Sequence, residues 1–152
     1  MIDFRDRSVP LMNNEIMLFM SAGMLAFAMK DTTLMNGVSG FLARLAHQSF
    51  FLFALAIMVI VLGITYVGVH QIAAVGVLAM QLNAAELGMS NMALAMVLLL
   101  TWACSTALSP FSGLNLMVSR FSGISSKEAF RVMGPHLLIV SLIGFSLISL
   151  LG

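Results

Sequence analysis

The chain has 152 residues, of which 61% are hydrophobic and 9% charged, with a net charge of +1 and a mean hydropathy of +1.06. A soluble domain is about half apolar and about a quarter charged, so this balance excludes an ordinary soluble fold and points to an all-α integral membrane protein. The near-neutral charge argues against nucleic acid as a partner, and the single cysteine, Cys104, excludes a disulfide framework or thiolate metal cluster within the chain.

Residues 1–14, with Asp3, Arg5, Asp6, Arg7 and Pro10, read as a polar lead-in or as a loop cut from something longer. The first apolar helix is expected over 15–29, and its small residues Ser21, Ala22, Gly23, Ala26 and Ala28 allow close helix approach. No small-residue cleavage pattern follows it, so it reads as a retained helix rather than a signal peptide. Thr32 or Thr33 can cap an amphipathic arm over 32–47, with Leu34, Val38, Phe41, Leu42 and Leu45 on one side. Such an arm lies at a membrane interface, with Arg44 and His47 toward the headgroups. The 14 methionines are adaptable packing residues in a helical core.

Residues 50–82 hold no acidic residue, lysine or arginine. As one helix they would be roughly 50 Å long, against a hydrocarbon core of ~30 Å. Polar groups and glycines gather in the middle, at Thr65-Tyr66-Val67-Gly68-Val69-His70-Gln71. Two readings compete: one tilted span with a ragged end, or a re-entrant hairpin with legs 50–64 and 72–82, each too short to cross. Charge counting does not separate them, because either topology puts five basic residues on one side and two on the other.

After a loop around Glu86 and Gly88, a helix starts at Asn91 and breaks at Ser109-Pro110-Phe111-Ser112-Gly113. Apolar sequence then resumes to about Arg120, giving a broken helix over 91–120. Proline and glycine free backbone groups that cannot face lipid, so a break at membrane depth is buried in protein or lines a polar cavity. Ser125 or Ser126 can cap a final helix over 127–151, entering the membrane after Pro135.

The stretch SPFSGLNLMVSRFSGISSKEAFRVMGPHLLIVSLIGFSLISLL resembles the end of carriers of the ion transporter superfamily. It is most similar to the membrane subunits of TRAP-type carboxylate transporters, where a TPPVGLNLFV-like segment breaks a late helix. Divalent-anion/sodium symporters and arsenite-efflux carriers look like more distant relatives. EIMLFMSAGMLAFAMKDTTLMNGVSGFLARLA is similar to the helix and interfacial arm that open the second repeat of that superfamily. The resemblance departs at Ser109-Pro110-Phe111, which replaces TPP, and at a hairpin tip without the Ser-Asn-Thr of the divalent-anion symporters.

The resemblance implies one transporter repeat: helix, interfacial arm helix, re-entrant hairpin, broken helix and final helix. The chain would be the C-terminal half of a secondary active transporter in the bacterial inner membrane. It would carry a small, carboxylate-like anionic solute, coupled to sodium. Partners implied are the N-terminal half or a second membrane subunit, with a homodimer and a soluble binding protein as further candidates. The solute would bind between the hairpin tip and the broken helix, where helix N-termini near Gln71 and Ser112 offer free N–H groups.

Within that site, Thr65, Gly68, His70, Gln71, Ser109, Ser112, Gly113 and Asn115 are the expected substrate-binding residues. Sodium is expected on free backbone carbonyls where the first legs end, near Ile64 to Tyr66 and Thr106 to Ser109, with Ile64, Thr65 and Ser109 named among them, and no covalent cofactor is expected. Gln71 and Asn115 are the strongest of these, since an amide in lipid needs a partner. Each residue also has a structural reading. His70 can satisfy a backbone group at the tip, Ser109 and Ser112 can cap or pack, and Gly68, Pro110 and Gly113 can supply the break and a close approach. Trp102 and Cys104 read as core, and His47 and His136 as interfacial. The rival function is a non-transporting membrane scaffold or partner subunit. An enzyme is not expected, because no HExxH, paired Asp or Ser/His pair on one helix is present.

Overall fold

The structure, a computed structural model, describes residues 13–30 and 32–150. Every regular element among them is helical: α1 (Asn13–Met29), α2 (Thr33–Gln48), α3 (Phe50–Tyr66), α4 (Gln71–Gln81), α5 (Asn91–Leu108), α6 (Gly113–Ser122) and α7 (Ser126–Ile148). Most of the expected lead-in, residues 1–12, and Leu151 at the expected end of the final helix lie outside the described residues.

Short polar side chains set several of the helix starts. Thr32 accepts from the Met35 N–H ahead of α2, and Ser90 accepts from the Ala93 N–H ahead of α5. Ser125 opens α7 through a reciprocal capping box with Glu128. At the other end of α6, Gly123 takes a left-handed φ of 70° and stops the helix. The final helix ends at Ile148, three residues short of the expected 151, and Pro135 lies inside it without ending it.

The core is built around α3. Its Phe53, Ala54, Ile57 and Val61 are fully buried with Leu42 of α2, Leu78 of α4, Val97 of α5 and Phe145 of α7. The arm turns a slightly different face inward than expected. Met35 and Leu42 are buried with Val38 and Leu45 beside them, whereas Leu34 and Phe41 are 63% and 52% exposed. The inward stripe thus follows i, i+3, i+7 from Met35, and Arg44 and His47 lie on exposed positions. α1 rests on α4 through small residues, with Ala22 and Ala26 buried and Met24 and Phe27 exposed. Trp102, expected in the core, is 38% exposed.

The competition over residues 50–82 resolves into a helix–turn–helix. The chain leaves α3 after Tyr66 and re-forms a helix at Gln71. Ile60 and Ile64 then line one cavity with Ala73, Ala74, Val77 and Leu78, so α4 returns along α3. A single span is excluded. The legs differ from expectation: α3 has 17 residues and reaches roughly 25 Å, while α4 has 11 and reaches about 16 Å. Only α4 is clearly too short to cross a ~30 Å core.

Among the described residues, two stretches are long and apolar enough to cross a membrane, Asn91–Ser122, taken through its break, and Lys127–Ile148. They weakly suggest membrane association. Only 17% of the second is buried, so α7 turns a broad apolar face outward.

The α1–α4 contact predicts a specific sensitivity. Ala26→Leu should overpack it and lower stability by about 1–3 kcal/mol, whereas Ala28→Leu on the exposed face should change it by less than about 0.5 kcal/mol. Thermal unfolding of the purified protein in detergent measures both, and equal effects would contradict this packing.

Candidate functional site

The two breaks meet. Ser109 ends α5, and its hydroxyl donates to the backbone carbonyl of Thr65 at 3.1 Å, a buried bond across 44 positions of sequence. Thr65 is itself fully buried, and its hydroxyl bonds back to the Leu62 carbonyl at 3.1 Å. Gly68 turns the hairpin tip with φ 105°, a conformation that side chains resist, and a Cβ there would stand 4.0 Å from the Phe111 ring. Thr65, Gly68, Ser109 and Phe111 thus form one buttress between tip and break.

Asn115 closes the second break from below. Its Nδ2 donates to the Ser109 carbonyl at 3.1 Å, and its backbone N–H donates to the Ser112 hydroxyl at 3.1 Å. Both Asn115 and Ser112 are buried. Ser112 is therefore the N-cap of α6, and Asn115 is a strut that holds the turn folded. Gly113 behaves differently from expectation. Its φ is not positive, and no neighbour lies within 4 Å of a built Cβ, so nothing crowds it into being glycine.

His70 is the N-cap of α4, its Nδ1 accepting from the Ile72 N–H at 3.3 Å. Gln71 follows on the first turn of α4. It is only 6% exposed, and among the described residues its amide has no hydrogen-bond partner. The amide atoms themselves are not fully enclosed, since among the described residues only Thr101 Oγ1 is an enclosed side-chain atom without a partner. Of the expected site residues, Thr65, Ser109, Ser112 and Asn115 are committed to holding the breaks together, while the Gln71 amide and the second ring nitrogen of His70 keep unused bonding capacity.

Of the carbonyls expected to be free for sodium, those of Ile64, Thr65 and Ser109 are engaged. Ile64 accepts from Val69 N–H; Thr65 accepts from Gly68 N–H and Ser109 Oγ; Ser109 accepts from Ser112 N–H and Asn115 Nδ2. Within the expected stretch Thr106 to Ser109, the free carbonyls are those ahead of Ser109. Pro110 has no N–H for Thr106, and the Phe111 and Ser112 N–H groups turn to the hydroxyl and carbonyl of Ser109. Thr106, Ala107 and Leu108 therefore receive no backbone donor from the break. Among the described residues, no group of three or more His, Cys, Asp or Glu could hold a metal.

Two polar residues on α5 went unread in the sequence. Thr101, Ser105 and Ser109 recur every four positions and are all buried, so a polar stripe runs down α5 toward the break. The Thr101 Oγ1 is fully enclosed with no partner among the described residues. The spacing T-x-x-x-S-x-x-x-S was the available signal.

Charged residues lie beside the hairpin tip. Tyr66 meets Phe130 edge to face, with ring centroids 6.3 Å apart. That contact sets the hairpin tip beside the opening turns of α7, which carry Lys127, Glu128 and Arg131. No family model, no curated protein and no solved structure matched this chain.

The Ser109 bond predicts a local loosening. Ser109→Ala should cost about 0.5–1.5 kcal/mol by removing one of the two donors to the Thr65 carbonyl and the acceptor of the Phe111 N–H. Hydrogen exchange across residues 65–71 should accelerate, and unchanged exchange there would mean the tie carries no stability.

Proposed function

We propose that this chain is the C-terminal repeat of a secondary active transporter, integral to the bacterial inner membrane and moving a small carboxylate-like anion. The observation that carries the reading is the unbonded Gln71 amide, not fully enclosed although its residue is largely buried, on the first turn of α4 just past a hairpin tip that Ser109 ties to the second helix break. Discontinuous helices whose N-termini face one another suit an anionic group, because each offers free N–H donors and a partial positive charge. Ser109, Ser112 and Asn115 fix the geometry of that pair, and Gln71 supplies an uncommitted donor for the solute. The re-entrant hairpin of this reading is the α3–α4 pair, reaching its tip beside the polar start of α7.

Sodium coupling fits the site through the free carbonyls of Thr106, Ala107 and Leu108, with the Thr101 hydroxyl one to two turns further down the same helix. Sodium prefers such neutral oxygens at unwound helix ends. The N-terminal repeat or a second membrane subunit would complete the pocket, and a soluble binding protein would deliver the solute.

A scaffold or partner-subunit role is favoured by one feature, the outward apolar face of α7. Transport assays separate the two. Gln71→Leu removes an amide that has no internal partner, so the fold should survive, yet uptake of small carboxylates into cells expressing the full-length gene should fall at least about tenfold. Replacing external sodium by potassium should lower uptake to a similar degree. Wild-type uptake by the Gln71→Leu protein would remove the proposed site, and absence of any carboxylate uptake would favour the scaffold.

A further inference from the structure

We propose that the groove between α3, α5 and α7 binds an anionic phospholipid, with its headgroup at Arg131 and an acyl chain running toward Ser141. This rests on the chain's residence in a membrane and not on transport. The groove holds about 430 Å³ and is lined by Met58, Leu62, Leu108, Pro135 and Leu138, with Arg131 as its one charged residue. Such a volume lies within the range of small-molecule sites. Its far end offers no free hydroxyl donor, because Ser141 Oγ donates to the Leu137 carbonyl at 2.7 Å and lies 3.1 Å from the Cys104 thiol, from which it can accept. The two other mainly apolar cavities, one among α1–α4 and one between α5 and α7 near Gly144, have no charged lining residue.

The polarity of α7 fits a lipid lying along it. All its charged residues fall in the first two turns, at Lys127, Glu128 and Arg131, and residues 137–148 carry none. Lys127 and Arg131 are four apart and so share a face. Glu128 forms no ion pair with either among the described residues, its Oε2 accepting both the N–H and the hydroxyl of Ser125, each at 2.8 Å. Two cations above an apolar channel complement a phosphate headgroup above a hydrocarbon tail.

The test uses the lone tryptophan of the sequence. Trp102→Phe combined with Leu138→Trp places the only indole in the groove of the full-length protein, reconstituted in vesicles. Brominated phosphatidylglycerol should quench it with an apparent affinity about fivefold or more above brominated phosphatidylcholine, as expected for at least one cation–headgroup contact. Arg131→Gln should bring the ratio close to one. If that variant does not fold, raising the salt concentration on the unsubstituted reporter should collapse the ratio in the same way. Equal quenching by the two lipids, or a preference that survives both Arg131→Gln and high salt, would overturn the proposal. Absence of quenching by either lipid would also overturn it, since a protein segment would then cover the groove.

Discussion

The structure depends on one bond, the Ser109 hydroxyl to the Thr65 carbonyl. Helices that stop inside an apolar body leave backbone groups without partners, and each costs free energy unless something reaches it. Here the Ser109 hydroxyl at the end of α5 reaches the Thr65 carbonyl at the end of α3, which the Gly68 N–H also serves. Asn115 then takes the Ser109 carbonyl from the far side, and Ser112 receives the Asn115 N–H. The chain is thereby held broken in two places at once, and the two breaks are held in contact.

That arrangement divides the polar residues by role. Thr65, Ser109, Ser112 and Asn115 have their bonds directed inward to the backbone, and His70 has one ring nitrogen directed to its own helix start. Gln71 and Thr101 are buried without such commitments. Side chains of this second kind are the ones with capacity left for a solute or a cation. The carbonyls follow the same logic: those of Ile64, Thr65 and Ser109 are occupied, and Pro110 leaves those one turn back on α5 without donors.

Much of the fold was legible because the signals were local. Thr32, Ser90, Ser112 and Ser125 mark helix starts by side-chain chemistry, and Ser109-Pro110 marks a helix end by the lost N–H. Positions that depend on orientation were less legible. The arm presents Met35 rather than Leu34, because a rotation of one residue is invisible to a stripe that is apolar on both flanks. The extension of α3 to Tyr66 was missed because Thr65 and Tyr66 look like turn residues, yet Thr65 bonds back to Leu62 and stays helical. The pairing of the tip with the break spans 44 positions and has no local signature. The same distance hid which carbonyls would be taken.

The central claim is that tip and break form one site that a small carboxylate enters. Site-directed thiol labelling tests it most directly, using Gln71→Cys in a Cys104→Ser background and a membrane-impermeant reagent, in vesicles from cells expressing the full-length gene. Val59→Cys, on an exposed face of α3, is the control. The account predicts that small carboxylates slow labelling at position 71 and leave position 59 unaffected. Labelling at 71 that is insensitive to every carboxylate tried, with or without sodium, would contradict it.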